Sequence, residues 1–332
     1  MDATRRSAIA GLALAGAAAV SAQAPAAVLE TGQVATSLVP SPVAYTLLRP
    51  PGAPSTTGLP LLLMLHGGNG DNGFLAAMRP AIEAAWAAGE LSPCLVATPS
   101  CDRSLYLDYR DGSQKWETFI VGELVAHLRS VYQLASDRTK TLVAGISMGG
   151  LGALRLGFRH PDVFGGLAAL EAGIEPALRF SDVKARNGFQ RGQPFLEARY
   201  GAPVDEPFWR ANNPANIAIA QRDAIVGSGL QMYIEVGDLD MFHLDEGVEF
   251  LHRVLWDHDI RHEYRLVRGA DHLGRTLPGR LRDGLRFLNA QVLAPPPPDN
   301  SYEAGKRVVE TLKRAAHVDD SAPRPPLPPT WL

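Results

Sequence analysis

The segment Gly145-Ile146-Ser147-Met148-Gly149-Gly150 follows the apolar run Thr-Leu-Val-Ala and precedes a helical pattern. A serine at a tight strand-to-helix turn, with glycines two residues before and two after it, presents its Oγ where it can attack a carbonyl carbon. The helix that starts there favours the negative charge that develops in such a reaction. The same spacing occurs by chance in Gly-rich chains, and its bland reading is a βα turn without chemistry. The assignment therefore depends on what partners the rest of the chain supplies.

Three further stretches supply them. The apolar run Leu61–Leu65 ends in His66-Gly67-Gly68-Asn69-Gly70. Glycines there let the backbone approach a substrate carbonyl, and the N–H groups of Gly68 and Met148 are the predicted oxyanion donors. The loop has no Lys-Ser/Thr after its glycines, which argues against a phosphate cradle, and His66 is expected to be a structural hydrogen-bonding residue. After Met232–Val236 comes Gly237-Asp238-Leu239-Asp240, and after Tyr264–Val267 comes Gly269-Ala270-Asp271-His272. His272 is the predicted base that takes the Ser147 proton and returns it to the leaving alkoxide, with a carboxylate fixing its tautomer. Asp240 is preferred as that carboxylate because two further residues let the loop reach the histidine; Asp238 is the alternative. Asp271 is expected to face solvent. Of the other histidines, His127, His252 and His258 fall in helical patterns and His160 precedes a proline.

These residues need a scaffold that brings loop ends together. Leu59–Leu65, Cys94–Thr98, Thr141–Ile146, Gly166–Leu170, Gln231–Val236 and Glu263–Val267 are short strand candidates, mostly continuous in apolar residues, as suits a sheet covered on both faces. Helical spacing recurs between them in Gly73–Ala88, Lys115–Tyr132, Leu151–Phe158, Asp245–Asp257 and Leu277–Val292. The alternation predicts an α/β class with a mainly parallel twisted sheet and right-handed crossovers. Val43–Leu48 is expected to be an antiparallel edge strand. In such sheets chemistry gathers at the carboxyl ends of the strands, where Ser147, Asp240 and His272 all fall.

Composition bounds the rest. With 32 Lys+Arg against 35 Asp+Glu among 332 residues the formal charge is −3, and no basic run exists to grip nucleic acid. The longest apolar run, Ala8–Val20, is too short to span a bilayer. Arg5 and Arg6, that apolar stretch and Ala22-Gln23-Ala24 line up as an export signal over residues 1–24, by a twin-arginine-like or a Sec route. Export would permit a Cys94–Cys101 disulfide, but an extended chain separates the two by about 20 Å, well beyond bridging distance. Residues 25–293 are expected to form the catalytic domain, with 171–225 as a cap insertion. Ala294-Pro-Pro-Pro-Pro-Asp opens a Pro-rich tail over 294–332, with one possible helix at Tyr302–Ala316.

Over about residues 40–292 the chain resembles the esterase D-like branch of the α/β-hydrolases, the group of S-formylglutathione hydrolases, feruloyl and acetylxylan esterases and mycolyltransferases. The resemblance rests on Leu65–Gly68, Leu105–Asp108 with Trp116–Phe119, Gly145–Gly150, Arg159-His160-Pro161, Gly237–Asp240 and Asp271-His272. It implies an α/β-hydrolase fold, Asp240 as the triad acid, and Gly68 and Met148 as oxyanion donors. The tail lies outside the family pattern. The function expected is an exported serine carboxylesterase acting through an acyl-enzyme on a small-molecule or polysaccharide-linked ester, with no cofactor and no metal. An exported address disfavours formylglutathione and favours carbohydrate- or phenolic-linked esters. Acyl transfer to a sugar or alcohol is the alternative enzyme, and a binding module that keeps the fold is the alternative class. Tyr106, Trp116 and Trp209 are candidate pocket walls, and Phe180, Phe189, Phe195 and Tyr200 are further aromatics of the cap, each with a core role as its bland reading.

Overall fold

The strands form where apolar residues run without interruption, and each is short enough to cross the molecule once. In the computed structural model, which describes residues 26–53 and 55–320, eight strands make one sheet. They are β1 (Val28–Val34), β2 (Val43–Arg49), β3 (Leu61–Leu65), β4 (Leu95–Pro99), β5 (Thr141–Ile146), β6 (Gly166–Leu170), β7 (Gln231–Gly237) and β8 (Glu263–Val267). Their order across the sheet is β1-β2-β4-β3-β5-β6-β7-β8. From β4 through β8 all neighbours are parallel, while β1 with β2 and β2 with β4 are antiparallel.

Both faces of the central strands are buried, and this explains their unbroken hydrophobicity. Leu61, Leu63 and Leu65 of β3 point into a core shared with the helices Val125–Tyr132 and Met148–Arg159. Leu62 and Met64 point the other way, against Leu75, Ile82 and Ala85 of the helix Phe74–Ala87 and Leu281 and Leu285 of the helix Leu277–Leu288. The edge strand β8 is different: Glu263 and Arg265 alternate with partly exposed neighbours, a charged edge that resists pairing with another chain.

Two sequence expectations change. Val43–Arg49 is antiparallel but lies inside the sheet, and the edge belongs to β1. That strand, Val-Leu-Glu-Thr-Gly-Gln-Val, carries too few apolar residues to stand out because only its β2 side is covered. The continuous helix expected over Lys115–Tyr132 is interrupted: Trp116–Thr118 passes into a π-helical stretch, Phe119–Leu124, before Val125–Tyr132. The wider turn lets Phe119, Ile120 and Leu124 all reach the core.

Cys94 and Cys101 are buried free thiols. The helix Glu303–Ala315 has no buried residue. The export signal expected over residues 1–24 and the Pro-rich stretch 321–332 lie outside the described residues. Among the described residues no helix is long and apolar enough to cross a membrane.

Candidate active site

β5 ends at Ile146 and a helix begins at Met148, so one residue, Ser147, must turn the chain. It does so with φ 61° and ψ −117°, a conformation costly for a residue with a side chain. Its backbone is held from three directions. The Ser147 N–H donates to the Leu170 carbonyl at 2.9 Å, and its own carbonyl accepts from Leu151 at 3.0 Å and Gly173 at 3.1 Å. The turn is too tight for side chains on either flank. A Cβ on Gly145 would fall on the carbonyl of Gly149, and one on Gly149 would fall on the carbonyl of Leu65. Gly149→Ala is expected to destabilise the fold by about 1–3 kcal/mol, as overpacking against fixed backbone does, and denaturant unfolding measures it. An unchanged midpoint would mean that the end of β3 can move aside.

The loop after β3 lies beside this turn. Gly67 approaches so closely that a Cβ on it would stand 3.6 Å from the Ser147 Cβ. His66 fixes the loop from beneath: its Nδ1 bonds the Gly67 carbonyl at 2.8 Å and its Nε2 accepts from the Cys101 N–H at 3.0 Å. Burial lowers its pKa, in keeping with a neutral ring that donates at one nitrogen and accepts at the other. Gly68 and Met148 both line the cleft in front of Ser147. Met148 opens its helix, so its N–H has no acceptor within the helix.

The loops after β7 and β8 meet opposite. Asp240 Oδ2 lies 2.7 Å from His272 Nδ1, and both residues are buried. The other oxygen of Asp240 accepts from Phe242 at 2.7 Å and Leu244 at 3.3 Å, at the start of the helix Leu244–Asp257. Burial pushes the Asp240 carboxyl up, but the hydrogen bonds from His272, Glu171 and this backbone outweigh it and hold the group below its ordinary value. Asp238 turns elsewhere, accepting from the Gly269 N–H and tying the two loops together. Asp271, expected to face solvent, also braces the loops, accepting from Met241 at 3.1 Å and from the His272 N–H at 2.7 Å. The His272 ring meets the Phe242 ring edge-on at 4.7 Å.

Ser147 and His272 line one cleft of about 630 Å³. The insertion supplies part of its wall through Gln190, Arg191 and Phe195; Phe74, Arg103 and Leu273 complete other sides. Arg103 stacks on the Phe195 ring at 4.5 Å. The three aromatics expected as pocket walls are not there. Tyr106 is fully buried and donates its hydroxyl hydrogen to the His66 carbonyl at 2.8 Å, so it braces the loop after β3 from behind. Trp116 is buried beside Phe119, with its indole N–H on Gln114 at 2.7 Å. Trp209 packs on Phe180 in the core of the insertion, and Tyr200 is buried with it. Each of these rings is part of the large core on one face of the sheet, where a big apolar side chain fills the space. Of the cap aromatics named from the sequence, Phe195 is the one that lines the cleft.

The motifs that carried the resemblance have structural work of their own. Glu117 accepts from Arg159 at 3.1 Å and pairs with His160 at 2.9 Å. Leu105 and Tyr106 both have positive φ, and Arg155 caps the Leu105 carbonyl while also donating to Asn212.

Residues 39–273 match the family described as "Putative esterase". The chain belongs to that esterase family. It is 37% identical over 79 residues to an acetyl esterase of Caldicellulosiruptor saccharolyticus, covering 24% of this chain and 30% of the relative. It is 31% identical over 147 residues to the diacylglycerol acyltransferase/mycolyltransferase Ag85B of Mycobacterium leprae, covering 42% of this chain and 40% of the relative. These matches thus span less than half the length of either curated relative. Among solved structures, a ferulic acid esterase superposes with a TM-score of 0.66 at 22% identity, over 81% of this chain and 100% of the other. An S-formylglutathione hydrolase from Agrobacterium tumefaciens gives 0.65 at 18% identity, over 81% and 97%. The fold is that of the α/β-hydrolases, and the branch is the one its motifs resemble.

Beneath the histidine this member of the family carries a charged cluster that the motifs did not announce. Glu171 follows β6, Glu235 lies within β7, and Arg280 reaches both from the helix Leu277–Leu288, with a guanidinium nitrogen 3.1 Å from Glu235. A glutamate inside Met-Tyr-Ile-Glu-Val was the available signal, because a charged residue in a doubly covered strand needs a partner. Donor atoms of Glu171, Asp240 and His272 lie within 4.8 Å of one another, a spacing that would also suit a cation. Here the Arg280 guanidinium already occupies the cationic place beside Glu171, and His272 Nδ1 faces Asp240 at hydrogen-bond distance, so the set reads as proton sharing.

Proposed function

We propose that this chain is an exported serine ester hydrolase with Ser147 as nucleophile, His272 as base and Asp240 as its orienting acid. The observation that carries the reading is a serine on a strained strand-to-helix turn facing, across one cleft, a histidine whose far nitrogen is 2.7 Å from a buried carboxylate.

Ser147 Oγ attacks the ester carbonyl carbon while its proton passes to His272 Nε2. The imidazolium is stabilised by Asp240, and the carbonyl oxygen becomes an oxyanion held by the N–H groups of Gly68 and Met148. Collapse of the tetrahedral species breaks the bond to the leaving alkoxide, which takes the proton from His272. Water then repeats the sequence on the acyl-enzyme and regenerates Ser147. Each of these steps uses groups of this chain and water. Export rests on the signal pattern of residues 1–24.

Acetyl- and feruloyl-esterase relatives support a carbohydrate- or phenolic-linked ester as substrate, and the mycolyltransferase relative supports acyl transfer as the second reading. One experiment separates them. The chain is incubated with p-nitrophenyl esters from acetate to decanoate, methyl ferulate and acetylated xylan, with and without sugar or alcohol acceptors. Free acid as the main product, unchanged by acceptor, is expected. Acyl-acceptor product in place of acid would establish the transferase, and intact esters throughout would overturn both readings.

A further inference from the structure

We propose that Glu171 is a positioning residue that carries a proton at neutral pH and donates it in a hydrogen bond to the Asp240 carboxylate, holding that carboxylate against His272. The inference rests on the Ser147–His272–Asp240 reading and concerns a residue beyond that triad.

Three features of Glu171 converge. It is fully buried with φ 47°, a conformation a non-glycine residue keeps only when its surroundings demand it. Its backbone N–H is anchored on the Glu235 carbonyl at 2.9 Å, and the residue before it, Leu170, accepts from Ser147. Glu171 therefore follows the residue that holds the Ser147 turn and is itself bonded to β7, the strand from which the Asp240 loop leaves. Its Oε1 accepts from the Gly237 N–H at 3.0 Å and from Arg280. Its Oε2 is buried with no hydrogen-bond partner among the described residues, and one carboxylate oxygen of Glu171 lies within 4.8 Å of one on Asp240. Two carboxylate oxygens buried side by side without a donor between them repel each other; one proton between them turns the repulsion into a strong hydrogen bond.

The charge balance gives the same answer. Glu171 faces Asp240 and His272 on the loops after β7 and β8, Glu235 on β7 and Arg280 on the C-terminal helix of the domain. Arg280 is one cation serving two glutamates, and Asp240 faces His272, whose role as base leaves it without charge until it takes the Ser147 proton. Ionising all three carboxyls would leave buried negative charge unmatched. Burial, then the Asp240 hydrogen bond and the Glu235 charge, raise Glu171 to about 9 against the partial offset of Arg280. Burial also raises Glu235, to about 7.

The test compares Glu171→Gln with Glu171→Ala. Glutamine is neutral and keeps an N–H donor, so kcat is expected to stay within about threefold of wild type. Its acidic limb in kcat/KM against pH should not move, because a neutral group replaces a neutral group. The wild type should lose turnover as pH rises through about 9, where Glu171 ionises against Asp240, and Glu171→Gln should lack that alkaline limb. Alanine removes the donor, and kcat should fall about 10- to 100-fold with KM little changed. A Glu171→Gln variant as impaired as Glu171→Ala, or one whose acidic limb shifts to lower pH, would show that Glu171 acts as a charge and overturn the proposal.

A second measurement needs no turnover. In the full chain labelled with 13Cδ-glutamate, the NMR resonance missing from Glu171→Gln identifies Glu171. Titration near 9 is expected, and titration in the ordinary carboxylate range would overturn the proposal. That result is readable even if no ester is hydrolysed, so failure of the esterase reading and failure of this inference are told apart.

Discussion

Ser147→Ala is expected to cut kcat/KM by about 10³- to 10⁶-fold while leaving the protein folded. The bonds that hold position 147 run from its backbone, to Leu170, Leu151 and Gly173, and alanine keeps all of them. Alanine also takes the positive φ at much the same cost as serine, so its circular dichroism and melting should match those of the parent. A residual rate above water should persist, because the oxyanion donors and the cleft remain. An alkyl fluorophosphonate provides a check independent of substrate choice. In the wild type Oγ displaces fluoride and forms a P–O bond, so intact mass increases by one phosphonyl group; Ser147→Ala should stay unlabelled. A labelled or fully active variant would place the nucleophile elsewhere. His272→Ala should be comparably inactive but a less clean test, since it leaves Asp240 buried without its ring partner.

The sequence carried this site unevenly, and the reasons are physical. That Ser147, Gly68, Asp240 and His272 come close together was legible because each follows a strand at its carboxyl end, and a parallel sheet places all such loops at one edge. The Gly145 and Gly149 spacing reported a backbone collision that no other residue relieves. The pocket walls were not legible. Tyr106, Trp116 and Trp209 have the same composition signal whether they face a cleft or a core, and only the packed neighbours decide. The Arg280 cluster was hidden for another reason: its three side chains come from the end of β6, from β7 and from the helix Leu277–Leu288, far apart in the chain. The sheet was legible in its centre and missed at β1, where covering on one side leaves a weak hydrophobic pattern.

Asp240→Asn should lower kcat by about 10²- to 10⁴-fold, whereas Asp238→Asn should cost a few-fold at most. The difference follows from which atoms each carboxylate serves. In the first variant the asparagine oxygen would still accept from Phe242 and Leu244, because those donors want an acceptor and nothing more. Its amide nitrogen would then face His272 Nδ1, where Asp240 now accepts a proton at 2.7 Å. Two donors cannot share that line, so the imidazole must move its proton to Nε2, the nitrogen that has to receive one from Ser147. Protein fold and cleft survive while the base is in the wrong tautomer. Asp238 bonds only the Gly269 N–H among the described contacts, and an asparagine oxygen can keep that bond. Steady-state kinetics of both variants on the best p-nitrophenyl ester, with fluorophosphonate labelling rates beside them, gives the ranking. If Asp238→Asn proves the more damaging, the acid moves to Asp238 and the 2.7 Å contact at Asp240 becomes structural.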